Sequence, residues 1–166
     1  MSPWARFTGL LSAVGTVWIF GLMALSVADV VGRDLFHAPV RGTTELLGLS
    51  IVGIVWLQLA HSIASGRLTR SEALIDMVRM RRPRLAAAMD ATYMLIGAAL
   101  LATIAWVCAG SLGEAVEIGD YVGAIGDFTF PTWPVRALML LGAAAGALQC
   151  LLLAVGHARH ALWPAP

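Results

Sequence analysis

Between Arg6 and Asp29 the chain carries no charged residue, so residues 7–28 form one uncharged, mostly apolar run of 22. No other feature limits the fold as much. An α-helix rises 1.5 Å per residue, so about 20 apolar residues cross the roughly 30 Å hydrocarbon core of a bilayer. Backbone polar groups find no water there. A lone apolar run therefore crosses as a helix, which satisfies those groups internally. Three further runs share this character, at residues 46–65, 91–113 and 135–156. The sequence predicts an all-α integral membrane four-helix bundle, a single four-span domain over residues 1–166. The first run also holds a passable signal-cleavage site at Ala24, Leu25 and Ser26. Signal-peptide apolar regions are only about 7–15 residues long, so a retained first span is the better reading.

Composition agrees and excludes other classes. Hydrophobic residues make up 59% of the chain and charged residues 13%, against about 45–50% and about 25% in soluble domains. A soluble enzyme has no place for that much apolar surface, and a disordered segment needs the opposite balance. The two cysteines, Cys108 and Cys150, lie inside apolar runs, which excludes a disulfide scaffold. A net charge of +1 excludes a strongly basic nucleic-acid binder. All eleven basic residues are arginine.

Their placement predicts an orientation, because cytoplasmic loops collect Lys and Arg. With four spans, one side holds Arg6, Arg67, Arg70, Arg79, Arg81, Arg82, Arg84 and Arg159. The other side holds Arg33, Arg41 and Arg136, together with seven of the ten acidic residues. Eight arginines against three put both termini and the 64–90 loop in the cytoplasm.

That loop has its own pattern. Thr69 and Glu72 stand at capping-box spacing. Leu68, Ser71, Leu74, Ile75 and Val78 then share one side at 100° per residue, with Glu72, Asp76 and Arg79 opposite. Pro83 closes the segment. A short amphipathic helix over about 69–82, lying at the cytoplasmic interface, is expected. The loop at 114–135 is acidic and then aromatic. Tyr121, Phe128, Phe130 and Trp133 suit an interfacial belt. Pro131 and Pro134 suit the first turn of the fourth span, with Thr132 as its cap.

Small residues line two spans. Gly142 and Gly146 form a GxxxG pair, and Ala105, Ala109 and Gly113 recur every four positions. Such stripes let helices approach closely, and packing within the subunit is the expected use. The informative absence is of charge: no Asp, Glu, Lys or Arg lies near the centre of any span. Carriers and proton pumps place ionisable groups there. Gln58 and Gln149 are the most polar mid-span residues and are expected to make interhelical hydrogen bonds. Asp29 and Arg33, at i and i+4, form a favourable helix pair. There is no CxxC, no HExxH and no phosphate-cradling glycine loop. No catalytic, cofactor or metal site is therefore assigned.

The chain resembles the small membrane subunit of tripartite ATP-independent periplasmic (TRAP) transporters, the DctQ-like type. The specific match is Val31, Gly32, Arg33, Asp34, Leu35 and Phe36, then Pro39, then Thr44, Glu45 and Leu46. Pro131, Trp133 and Pro134, followed by a glycine-containing apolar helix ending near Gln149, also resemble the family's last span. One segment departs. Where the family often has His-Ile-x-Val-Asp after its second span, this chain reads from Gly66 to Glu72 without the histidine, the acid displaced to Glu72.

The resemblance implies a non-enzymatic scaffold in the bacterial inner membrane. Such a subunit joins a large multi-span transport subunit. A periplasmic solute-binding protein delivers an organic acid or similar solute, and a sodium gradient usually drives uptake. Asp29, Arg33 and Glu45 are then candidate interface residues, with solvation at headgroup level as the equal alternative, and Gln58, Gly142, Gly146 and Gln149 are candidate packing residues. The alternative is a redox-complex anchor holding haem between His61, His157 or His160. A small multidrug-type antiporter is disfavoured because its intramembrane carboxylate is missing.

Overall fold

The computed structural model describes residues 3–65, 80, 82–124 and 128–162. Four long helices account for most of them: α1 at Pro3–Phe36, α2 at Thr43–Ala64, α3 at Pro83–Ile118 and α4 at Trp133–Leu162. All four are long and apolar enough to cross a membrane. Each extends beyond its apolar run where polar side chains reach the headgroup region. The 34 residues of α1 would span about 50 Å, and its last turns carry Asp29, Arg33 and Asp34. Pro83 begins α3 rather than only closing the loop before it. A proline fits there because the first-turn N–H has no intrahelical partner. The expected amphipathic helix, with Leu68, Leu74, Ile75 and Val78, lies outside the described residues.

Among the described residues the helices pack in the order α1, α2, α4, α3, with α3 on α4 the most extensive contact. This is an open row, and α1 flanks it by resting chiefly on α2. The core sits where α2, α3 and α4 meet, at Ile63, Met94, Ala98, Cys150 and Ala154, with Leu59, Leu101 and Leu153 around it. Both cysteines are free and buried.

Two tight connections close one end of the row. His37 takes a left-handed conformation (φ 51°) after α1, and the Ala38 N–H donates to the Gly32 carbonyl at 2.9 Å. Gly42 (φ 76°) then caps α2. After α3 the chain forms a β-hairpin in place of the loop read from sequence. Strand β1, Tyr121–Ala124, pairs antiparallel with β2, Phe128–Pro131, with Tyr121 opposite Pro131 and Val122 opposite Phe130. The Phe128 ring lies against Gly42, where any Cβ would overlap it. The hairpin thus covers the α1–α2 turn.

Candidate functional site

The end of the row that carries the hairpin is held by a polar clasp. Arg136, in the first turn of α4, donates from Nη1 to the Ser111 carbonyl at 2.7 Å and to Ser111 Oγ at 2.6 Å. Its Nη2 donates to Asp120 Oδ2 at 2.6 Å. The Thr132 hydroxyl donates to the same Oδ2 at 3.0 Å, and the Thr132 N–H donates to the Asp120 carbonyl at 3.0 Å. A cation at a helix N-terminus opposes the helix dipole. Asp120 and the Ser111 oxygens offset that by giving the guanidinium three acceptors. Thr132 stands directly before α4, and its carbonyl accepts from the Arg136 N–H at 3.2 Å. Its hydroxyl goes to Asp120, however, and not to the first amides of α4, which corrects the side-chain cap expected from sequence.

A second polar corner ends α1. Asp29 is buried, accepts from Arg33 Nη2 through Oδ2 at 2.7 Å, and accepts from the Val40 N–H through Oδ1 at 2.9 Å. One carboxylate therefore makes the expected helix pair and also fixes the turn that follows. The Thr43 hydroxyl donates to the Val40 carbonyl at 2.9 Å, which ties the start of α2 to the same turn. Glu45 does not join them. It lies half-buried in the first turn of α2 with no hydrogen bond or ion pair among the described residues.

The packing residues divide. Gly142 lies against the Trp56 carbonyl and Cβ, so α4 and α2 touch backbone to backbone there. Gly146 faces Leu101 of α3 and Leu59 and Ile63 of α2. The stripe on α3 is different: Ala109 and Gly113 are exposed, and nothing lies near a Cβ placed on Gly113. Ala105, one turn after Leu101, is half-buried, so the expected packing of this stripe within the subunit is corrected for Ala109 and Gly113 alone. Gln149 is buried and partnered. Gln58 is half-buried with its amide on Gly15 of α1 and makes no hydrogen bond among the described residues, contrary to expectation.

The grooves are apolar. One of about 500 Å³ opens between α1 and α2, lined by residues that include Ile19, Met23, Val27, Ile51 and Val55. Among the described residues no three His, Cys, Asp or Glu side chains gather to hold a metal. This arrangement positions helices and presents apolar faces. Residues 22–160 match the family model for tripartite ATP-independent periplasmic transporters, DctQ component. The chain belongs to the DctQ family. A DctQ component is a transporter subunit and not an enzyme, and with its four apolar helices this one is a multi-pass inner membrane protein. No curated protein and no solved structure gave a match. The haem-anchor alternative gains no support from the DctQ match.

The clasp was not read from sequence. Its signal was Arg136, a charge at the very start of the fourth apolar run, together with an acid directly after Gly119. A charge so placed needs a partner at the same depth, and Asp120 is the acid the hairpin brings back to it.

Proposed function

We propose that this chain scaffolds the large transport subunit of a TRAP importer as a single four-span domain with both termini cytoplasmic. In this reading a periplasmic solute-binding protein delivers an organic acid or similar solute, and a sodium gradient drives its uptake through the large subunit. The observation that carries the scaffold role is the exposure of α1. Only 6% of its apolar window is buried within the chain, against 39% for α4. A lipid bilayer would solvate that face, but a scaffold needs such a face, and the α1–α2 groove gives it relief. Family membership supports the same partners, and the lack of mid-span charge suits a companion better than a carrier. Asp29, Arg33 and Glu45 stand at one end of this face, and Glu45, which has no pair among the described residues, is the residue best placed to meet a partner.

The test is coexpression with a large multi-span TRAP transport subunit. The two are expected to copurify, and liposomes holding this chain alone are expected to show no solute flux. Robust flux from the chain alone would overturn the scaffold role. Copurification unchanged by Arg33→Ala and Glu45→Ala would remove those residues from the interface.

A further inference from the structure

One side of α3 carries a single large side chain among small ones. Ala99, Ala102, Trp106, Ala109 and Gly113 follow one another along it at helical spacing. Trp106 is 83% exposed, and nothing lies near a Cβ placed on Gly113. Next to it, toward the start of α3, a groove of about 470 Å³ opens against α4, lined by residues that include Ala98, Ala99, Ala102, Ala147 and Leu148. A knob and a recess therefore stand one turn apart on one face.

Apolar area alone calls for no partner in a membrane, because lipid tails are as apolar as a protein face; close packing and hydrogen bonds are what draw helices together. This face offers both. Trp106 stands seven residues before Gly113, where its apolar run ends, and so about 10 Å inside that end. Indoles favour the membrane boundary, but a helical side chain leans toward the helix N-terminus, which here is toward the middle of the span. The Trp106 N–H has no acceptor among the described residues. Nearly one turn back, the exposed Thr103 hydroxyl donates to the Ala99 carbonyl at 2.9 Å and accepts from nothing among the described residues. An open donor and an open acceptor thus share one side of the helix without meeting. A second copy of this chain supplies the complement of each, because a two-fold interface sets the same patch against itself. With the axis along the membrane normal the copies match in depth. The ring of Trp106, leaning one turn back, then arrives level with the second copy's groove and hydroxyl.

We propose that this side of α3, with its groove against α4, is the face of a parallel homodimer, in which Trp106 of each copy fills the alanine groove of the other and donates to its Thr103 hydroxyl. The face lies at the opposite end of the helix row from α1, so it leaves α1 open and does not rest on the scaffold role. Fluorescently labelled full-length chain, reconstituted in liposomes over a range of protein-to-lipid ratios, tests it, with photobleaching steps counting the copies in each vesicle. The wild type is expected to form dimers beyond random co-capture. Trp106→Ala is expected to raise the dissociation constant by more than about ten-fold, as for a central interface tryptophan. Trp106→Phe keeps an aromatic ring but loses the N–H, and is expected to raise it about three-fold, the size of one interhelical hydrogen bond in lipid. Ala102→Phe, which fills the groove, is expected to abolish dimers. Val107→Ala, beside Trp106 in sequence and also exposed but turned off this side of α3, is expected to leave the constant unchanged. Trp106 and Val107 are both exposed in the single chain, so their variants keep wild-type helix content and decide the matter should Ala102→Phe not fold. A wild type that stays monomeric would overturn the proposal, as would dimers undiminished in Trp106→Ala or Trp106→Phe, or lost equally in Val107→Ala.

Discussion

Arg136 and Asp120 meet at 2.6 Å and join the first turn of α4 to the second residue after α3. The hairpin leaves and returns between them, so this one pair fixes both its ends. Their side chains are 30% and 41% exposed, so water screens part of the attraction. Arg136→Ala also removes two hydrogen bonds to Ser111. We expect it to lower stability by about 1–2 kcal/mol, around the low end of the range for hydrogen bonds to charged groups. Arg136→Lys is expected to recover less than half, because an ammonium lacks the planar fork that spans Ser111 and Asp120. Unfolding of the chain in mixed micelles, followed by helix content, measures both.

Gly142 and Gly146 look equivalent in sequence, yet they face different neighbours. A side chain at 142 meets the Trp56 backbone, which cannot move aside, whereas one at 146 meets the tip of Leu101 at 3.1 Å. Gly142→Leu is expected to cost about 3 kcal/mol, at the upper end for overpacking, by parting α2 from α4. Gly146→Ala is expected to stay within about 1 kcal/mol of wild type, since small strain is offset by better helix propensity. The same unfolding measurement distinguishes them, and equal losses would contradict the asymmetry.

These two sites show what was legible. Apolar runs disclosed four helices because burial in lipid imposes one length and one hydrogen-bonding solution on every span. The Asp29–Arg33 pair followed from helical spacing alone. The β-hairpin was not seen, since Tyr121, Val122, Phe128, Thr129 and Phe130 suit an interfacial belt as well as a strand. Their pairing depends on Asp120 and Thr132 meeting across 12 positions, which no local pattern encodes. Helix facing was the other gap. The α3 stripe at Ala105, Ala109 and Gly113 is as regular as the α4 pair, but in lipid both inward and outward faces are apolar, so periodicity does not tell them apart.

Asp29 performs two tasks that substitution can separate. Its Oδ2 accepts from Arg33, which is largely exposed, and its Oδ1 accepts from the Val40 N–H. The exposed pair is worth about 0.3–0.5 kcal/mol. A hydrogen bond to a charged group is worth about 1.5–3 kcal/mol, and the one from the exposed Val40 to the buried Asp29 stands at the low end. Asp29→Asn keeps an acceptor for Val40 and is expected to cost under about 1 kcal/mol, whereas Asp29→Ala is expected to cost about 2 kcal/mol. Hydrogen exchange at Val40 reads this directly, accelerating in the alanine variant alone.

Orientation is testable because both native cysteines are buried. Thr129 and Arg159 are exposed at opposite ends of the helices. With eight arginines on the terminal side, Thr129→Cys is expected to label with a membrane-impermeant maleimide in spheroplasts, and Arg159→Cys only after permeabilisation. The reverse pattern would invert the topology.

Gln58 offers the sharpest test of a polar residue within a span. Its Cγ and Nε2 lie about 3.0 Å from the position a Cβ on Gly15 would take, and its amide makes no hydrogen bond among the described residues. An amide withdrawn from water without a partner costs about 1–3 kcal/mol in protein mutational data, and partial exposure places this one at the low end. Replacing it by an apolar side chain of similar size removes that cost and keeps the contact with α1. Gln58→Leu is therefore expected to stabilise the isolated chain by about 1 kcal/mol. Gly15→Leu is expected to destabilise it by about 1–3 kcal/mol, because the glutamine must yield before α1 can lie on α2. Loss of stability in Gln58→Leu would mean that the amide is hydrogen-bonded in the membrane after all, and the interhelical bond expected from sequence would be restored.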